Sequence, residues 1–222
     1  MPDAAPLLHD FLATYAERPV AQNGGGSGLN DSLWLYLVAR TLDPEMIVES
    51  GTWRGHSAWL FRRACPAADI VSFDLEVPPG GRHEEPDVAY RLRDWTEGEL
   101  ALPHGRRGLV FFDDHVSHAR RLREAAKRGF RLALLDDNFP AHQLHATGAP
   151  PVPTLAMLSD PGLAEDDVIA WQRNGKHYRY RDSAERRQAA LQVVETQVTL
   201  PELAPATRHP PGSGLTLVGL RT

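Results

Sequence analysis

The sequence predicts an α/β fold: a doubly wound, mostly parallel sheet with helices on both faces and an antiparallel strand at its C-terminal edge. Three observations carry this expectation. Short apolar runs recur at residues 46–49, 70–74, 109–112 and 132–135, with helical spacing between several of them. Runs of this kind, separated by helices, belong to a parallel sheet covered on both sides. The first run ends in an acid and turns through Gly51 and Gly55 into a helical segment. The other runs also close on acids, and in an open parallel sheet all such ends lie along one edge.

Taken in order, residues 6–17 read as a short amphipathic helix stopped near Pro19, and residues 23–28 as a glycine-rich loop. Asn30 or Asp31 is expected to cap a helix running to about Leu42, with Trp34, Leu35, Leu37 and Val38 on its buried face. Asp43-Pro44 ends it, because proline disfavours a helical residue before it. Residues 46–49 form the first strand, 56–64 a helix and 70–74 the second strand. A loop rich in proline and glycine follows at 77–86, then a third strand at 89–92. The run 109–112 closes on Asp113-Asp114-His115. Residues 117–128 place Ala119, Leu122, Ala125 and Ala126 at helical spacing, and Gly129 is the stop. The run 132–135 closes on Asp136-Asp137-Asn138.

Residues 139–181 break the rhythm with five prolines and no clear periodicity, and read as an irregular segment over the substrate. A last helix at 184–194 and strands at 194–200 and 215–220 complete one domain over residues 1–222. Its parts are an N-terminal helical cap (1–43), a cofactor and metal core (44–138), the lid segment (139–181) and the last helix with the C-terminal strands (182–222).

Composition narrows the classes. Cys65 is the only cysteine, so no intrachain disulfide forms. A net charge of −5 speaks for solubility and against a nucleic-acid partner. The clusters Arg120-Arg121-Leu122-Arg123 and Arg186-Arg187 read as solvated helix faces. No apolar stretch is long enough to span a bilayer. Asp3, His9 and Asp10 stand where a signal peptide would carry positive charge and then an apolar core. The expectation is a cytoplasmic protein with no membrane partner. Leu7, Leu8, Phe11 and Leu12 would cap either their own domain or a second copy, which leaves a homo-oligomer open.

The turn at residues 47–57 suits a nucleotide-like ligand. Gly51 permits the bend, Gly55 is expected to admit the ligand to the backbone, and the following helix N-terminus offers unpaired N–H groups. Thr52 and Trp53, between the glycines, are further candidate contacts. Glu49 repels pyrophosphate but receives an amino group or ribose hydroxyl. That choice, with the missing third glycine of a dinucleotide fingerprint, tips the cofactor toward S-adenosylmethionine. Asp74, about 20 residues beyond the turn, is placed for ribose hydroxyls. Asp94 is placed for the adenine amino group, with Trp95 offering a ring face. Asp113, Asp137 and Asn138 are hard oxygen ligands suited to Mg2+ or another divalent cation, which would acidify a bound substrate hydroxyl. His115 is the candidate general base, Asp114 a second catalytic candidate, and His118 a less favoured base. His142, His145, Trp171 and His177 would shape the acceptor pocket.

Glu49-x-Gly51-x-x-x-Gly55-x-Ser57 resembles the first motif of class I S-adenosylmethionine-dependent methyltransferases, a Rossmann-like family. Val110-Phe111-Phe112-Asp113 and Leu134-Leu135-Asp136-Asp137-Asn138 resemble the metal-binding strand ends of catechol-type O-methyltransferases. That resemblance implies Asp113, Asp137 and Asn138 as metal ligands, and Glu49, Ser57 and Asp74 as cofactor contacts. Residues 18–140 are also similar to an uncharacterised methyltransferase-like branch that shares the loop before the first core helix, the Phe111-Phe112-Asp113-Asp114-His115 string and Asp137-Asn138-Phe139-Pro140. The cephalosporin hydroxylase and macrocin O-methyltransferase group is a looser relative. Catechol-type enzymes carry a lysine three residues after the first metal Asp, where this chain has Val116.

The activity implied is O-methyl transfer to a small hydroxylated molecule, a sugar or specialised metabolite. Two other readings share the acidic edge: a metal-dependent hydrolase or oxygenase, and a protein that keeps the cofactor fold without the chemistry.

Overall fold

The computed structural model describes residues 5–146, 151–173 and 175–221. Its helices are α1 (Ala5–Ala16), α2 (Leu29–Leu42), α3 (His56–Ala64), α4 (His118–Lys127), α5 (Leu155–Leu158), α6 (Ala184–Leu191) and α7 (Ala204–Thr207). The strands are β1 (Met46–Ser50), β2 (Asp69–Asp74), β3 (Val88–Leu92), β4 (Gly108–Phe112), β5 (Leu132–Leu135), β6 (Val168–Arg173), β7 (Lys176–Arg181), β8 (Val194–Thr199) and β9 (Thr216–Leu220).

Seven strands form one sheet in the order β3-β2-β1-β4-β5-β9-β8. The pairs among β1 to β5 are all parallel, and β9 runs antiparallel to both β5 and β8. The antiparallel return was expected; its seat between β5 and β8 is the added detail. Thr216, Val218 and Leu220 are buried and Leu217 packs against the opposite core, so β9 is covered on both faces. The polar β8 (Val-Glu-Thr-Gln-Val-Thr) is mostly exposed and takes the outer position.

Alternate strand residues face opposite sides, and two cores result. Ile47, Ile70, Leu109, Phe111 and Leu134 pack under α1, α2 and α3. Met46, Val48, Val110, Phe112, Ala133 and Leu135 pack under α4 and α5. Phe11 of α1 is buried against Tyr15 and Tyr36 of its own domain, while Leu8 and Leu12 stay exposed.

Two local expectations are corrected. The cap of α2 is Gly28, with no side-chain bond. Asn30 and Asp31 instead reach across the fold: the Asn30 amide donates to Pro210 O at 2.9 Å, and Asp31 Oδ1 accepts from Ser213 N–H at 2.9 Å. The supposedly irregular 139–181 segment holds a 3-10 turn (Ala141–Ala146), α5 and the β6–β7 hairpin. Leu144, Met157, Leu163 and Tyr180 give it a small core of its own. Its apolar residues come from short, separated pieces, so no single window showed a period. No described helix is long and apolar enough to cross a membrane.

Candidate functional site

The bend after β1 is built by backbone groups. Gly51 and Thr52 N–H both donate to Phe73 O (2.8 and 3.2 Å), and Gly55 N–H donates to Thr52 O at 2.8 Å. Gly51 has φ of 106°, and a Cβ there would overlap the Asp113 carbonyl, 2.5 Å from its carbon. Gly51 thus lets the ends of β1 and β4 touch. Gly55 has φ of 80°, and a Cβ there would overlap the His83 carbonyl oxygen. The room it leaves is taken by the 77–86 loop, not by a ligand, which corrects the expectation for that residue.

Beside the bend lies a cavity of about 430 Å3, within the range of roughly 300–1,000 Å3 usual for small-molecule sites. Its walls come from Gly25, Ser50, Gly51 and Trp53, from Asp74 at the end of β2, from Asp94 after β3, and from residues 113–116 after β4. Asp74 is held firmly: Oδ2 accepts from Trp53 N–H at 2.8 Å and Oδ1 from Leu75 N–H at 2.7 Å. Trp53, at φ of 46°, donates its indole N–H to Gly24 O at 3.1 Å and so joins the glycine-rich loop to the turn. Gly51, Trp53, Asp74 and Asp94 therefore line one cavity.

Glu49, Thr52 and Ser57 do not reach it. Glu49 has the same parity as Ile47, which places it under α3, and it is 0% exposed. Ser72 donates to its carboxyl, Ser57 supports it, and Thr52 Oγ1 lies 2.6 Å from Ser72 Oγ. Burial pushes the Glu49 carboxyl up to about 7, against the Ser57 and Ser72 hydrogen bonds, from an ordinary 4.5. In the unfolded chain the proton leaves near 4.5, in the folded one near 7. Stability contributed at Glu49 therefore falls as pH rises through that window and is flat above it. We expect the stability of Glu49→Gln relative to wild type to rise by about 3 kcal/mol between pH 4.5 and 7, measured by urea denaturation. A constant difference would show that Glu49 keeps its ordinary titration.

The ends of β4 and β5 bring Asp113, His115, Asp136 and Asp137 around one narrow cleft that continues the cavity. Burial, then the neighbouring Asp136 carboxyl, pushes Asp113 well above the carboxylate range. Burial, then Asp137, does the same for Asp136. The pair is hydrogen-bonded, and Ser213 Oγ donates to Asp136 from the loop before β9. His115 is 44% exposed with Nδ1 3.6 Å from Asp137 Oδ2. Both residues have left-handed backbone, φ of 57° and 52°, conformations that concentrate at functional sites.

The three expected metal ligands do not all converge: Asp113 and Asp137 share the cleft, and Asn138 turns away from it. Asn138 donates to Thr216 Oγ1 at 2.8 Å and accepts from Ala156 N–H at 2.7 Å. It lines a second cavity of about 280 Å3, walled by Trp34, Phe139, Pro140 and Asp31, not the cleft that holds Asp113 and Asp137. The left-handed residue at Asp137 reverses the chain, so its side chain and that of Asn138 part company. Among the described residues no three His, Cys, Asp or Glu side chains are arrayed for a metal ion. The donor set as folded does not fit a divalent cation.

Three further expectations change. Asp114 is occupied by Ser50 Oγ (2.5 Å), Arg121 Nε (2.7 Å) and Val116 N–H (3.0 Å). It is a structural acceptor on the cavity wall. His118 is buried between Asp136 O, which lies 3.0 Å from Nε2, and Leu155 N–H, which donates to Nδ1. Burial lowers its pKa to about 3, which holds the ring neutral and structural. Trp95 is 0% exposed and packs edge-on against Phe112, so it presents no face to a ligand.

Sequence reasoning missed Arg121. It is 1% exposed, and its guanidinium lies 2.8 Å from Asp94, 2.7 Å from Asp114 and 2.7 Å from Glu124. The signal was present: His118, Arg121, Leu122 and Ala125 form the buried stripe of α4 at helical spacing. Trp171 is stacked on Tyr178 in the hairpin, and the side chain of His145 lies outside the described residues.

No protein-family model and no curated protein matches the chain. Solved structures do. SAH-bound methyltransferase PaMTH1 from Podospora anserina is 18% identical, with a TM-score of 0.51 over 100% of this chain and 89% of that one. The O-methyltransferase TomG from Streptomyces achromogenes, in complex with SAM, is 16% identical, with a TM-score of 0.51 over 96% of this chain and 90% of that one. The chain shares the fold of these two enzymes. In a fold of this kind ligands bind outside the carboxyl ends of the strands, where the strand order reverses. The 430 Å3 cavity lies there, at the ends of β1 and β4.

Proposed function

We propose that the protein is an S-adenosylmethionine-dependent O-methyltransferase acting on a small hydroxylated molecule, a sugar or specialised metabolite. The observation that carries this reading is the Asp74 carboxylate, fixed by two backbone N–H groups on the wall of a ligand-sized cavity beside the Gly51 bend. A carboxylate so placed accepts two ribose hydroxyls, and Asp94 beyond it accepts the adenine amino group. The bound cofactor supplies an electrophilic methyl on a sulfonium. The acidic surroundings of the cavity favour that positive charge.

His115 takes the proton from the acceptor hydroxyl at the cavity rim, and Asp137 beside Nδ1 orients the ring and stabilises the imidazolium. Asn138 faces away from Asp113 and Asp137, so proton removal falls to protein groups rather than to a magnesium ion. The alternative of a cofactor-binding protein without chemistry rests on Val116, which lines the cavity where a catechol-type lysine would stand.

Calorimetric titration with S-adenosylhomocysteine tests the cofactor. Wild type is expected to bind with and without magnesium. Asp74→Asn should weaken binding by about 10- to 100-fold, the value of hydrogen bonds to an ionised group. Unchanged affinity in that variant would remove Asp74, and the reading built on it, from the site.

A further inference from the structure

We propose that Arg121 is a positioning residue that sets nucleobase selectivity, by aiming the one remaining acceptor position of Asp94 into the cavity. The inference rests on the cofactor reading above and adds to it a residue on a different element. Asp94 Oδ1 is filled: it accepts from Thr96 N–H (2.8 Å), Thr96 Oγ1 (2.5 Å) and Arg121 Nη1 (3.3 Å). Among the described residues Oδ2 accepts from Arg121 Nη2 alone, at 2.8 Å, with Arg120 at 4.0 Å outside hydrogen-bond reach. A carboxylate oxygen has room for a second donor. The second position on Oδ2 is the one Asp94 has left to offer on the cavity wall it lines.

The guanidinium does this by spanning two strand ends. The same Arg121 bonds Asp114 at 2.7 Å, and Asp114 in turn accepts from Ser50 at the end of β1. Ser50, Asp114, Arg121 and Asp94 therefore link the ends of β1 and β4, helix α4 and the turn after β3 in one chain of hydrogen bonds. A planar fork can hold both carboxylates at fixed angles; an ammonium cannot. Burial alone would raise the Asp94 pKa, but the Arg121 and Thr96 hydrogen bonds hold it well below the usual carboxylate range. An ionised oxygen there accepts from an exocyclic amino group and repels a carbonyl. The selectivity follows: adenine over hypoxanthine.

The test compares S-adenosylhomocysteine with S-inosylhomocysteine, which carries a carbonyl in place of the amino group, by calorimetry. Wild type should prefer the adenosyl compound by about tenfold or more. In Arg121→Met the adenosyl affinity should drop to that of the inosyl compound, bringing the ratio near one while inosyl affinity holds. Arg121→Lys keeps a cation in the stripe of α4 and guards against a misfolded methionine variant, with near-UV circular dichroism as the check. It should lose the discrimination too, as should Asp94→Ala. Equal weakening of both ligands, with the ratio retained, would make Arg121 structural only and overturn the inference. Discrimination that survives Asp94→Ala would overturn it as well. Adenosyl binding without wild-type discrimination overturns this inference and leaves the cofactor reading standing; no binding of either compound overturns both.

Discussion

Replacing His115 by alanine is expected to lower kcat by about 10²–10⁴, the usual contribution of a positioned general base, with S-adenosylhomocysteine affinity little changed. The reason is location. His115 follows β4 at the rim of the cavity, its Nδ1 3.6 Å from Asp137, while the other histidine in reach of β5, His118, has both ring nitrogens engaged and is held neutral by burial. Asp114 is likewise taken up by Ser50, Arg121 and Val116. The base is therefore read from position: His115 lines the cavity and has Asp137 beside Nδ1. The measurement is single-turnover methylation of any hydroxylated acceptor that wild type modifies. Asp137→Asn should cost less than His115→Ala, because it weakens the orientation of the ring without removing it. A His115→Ala enzyme at wild-type rate would assign proton removal to another group or to solvent.

Gly51→Ala is expected to cost about 3 kcal/mol or more in stability, through a strained backbone and an overlap that has no flexible partner. At φ of 106° the new methyl meets the Asp113 carbonyl and lies 3.0 Å from Asp114 N, all backbone atoms at the joint of β1 and β4. Relief requires those strand ends to part, which also dismantles the cavity. For a chain of this size the melting temperature should fall by about 2–4 °C per kcal/mol, and S-adenosylhomocysteine should no longer bind. Gly80→Ala is the control. Gly80 also has positive φ, 90°, but nothing lies within 4 Å of its Cβ position, so only the backbone strain of about 1 kcal/mol should appear. Equal losses at the two positions would mean that the β1–β4 contact carries no special weight.

Much of the scaffold was legible. Residues 56–64 and 132–135 fold as read, and β1, β2, β3 and β4 each begin or end within one residue of expectation. Their apolar density and the glycine and proline stops are local signals, and local signals survive in sequence. The hairpin of residues 168–181 was not legible, since Ile169 and Tyr180 become core only by meeting Leu144, Met157 and Leu163 from elsewhere in the segment. Arg121 was misread for a related reason. A run of basic residues looks solvated until one of them falls on the buried stripe of its helix.

The chain's own order of residues determined the α/β architecture, the bend at Gly51 and the gathering of Glu49, Asp74, Asp113 and Asp137 at one sheet edge. Only the tertiary structure decided what each carboxyl does there. Glu49 is sealed beneath α3, Asp74 is pinned on the cavity wall, Asp113 shares a hydrogen bond with Asp136, and Asp94 answers to Arg121, 27 residues away in the chain. Periodicity places a residue along a strand and on one of its faces. The state and use of an ionisable group depend on burial and on partners brought by remote segments, and those exist only once the sheet has closed.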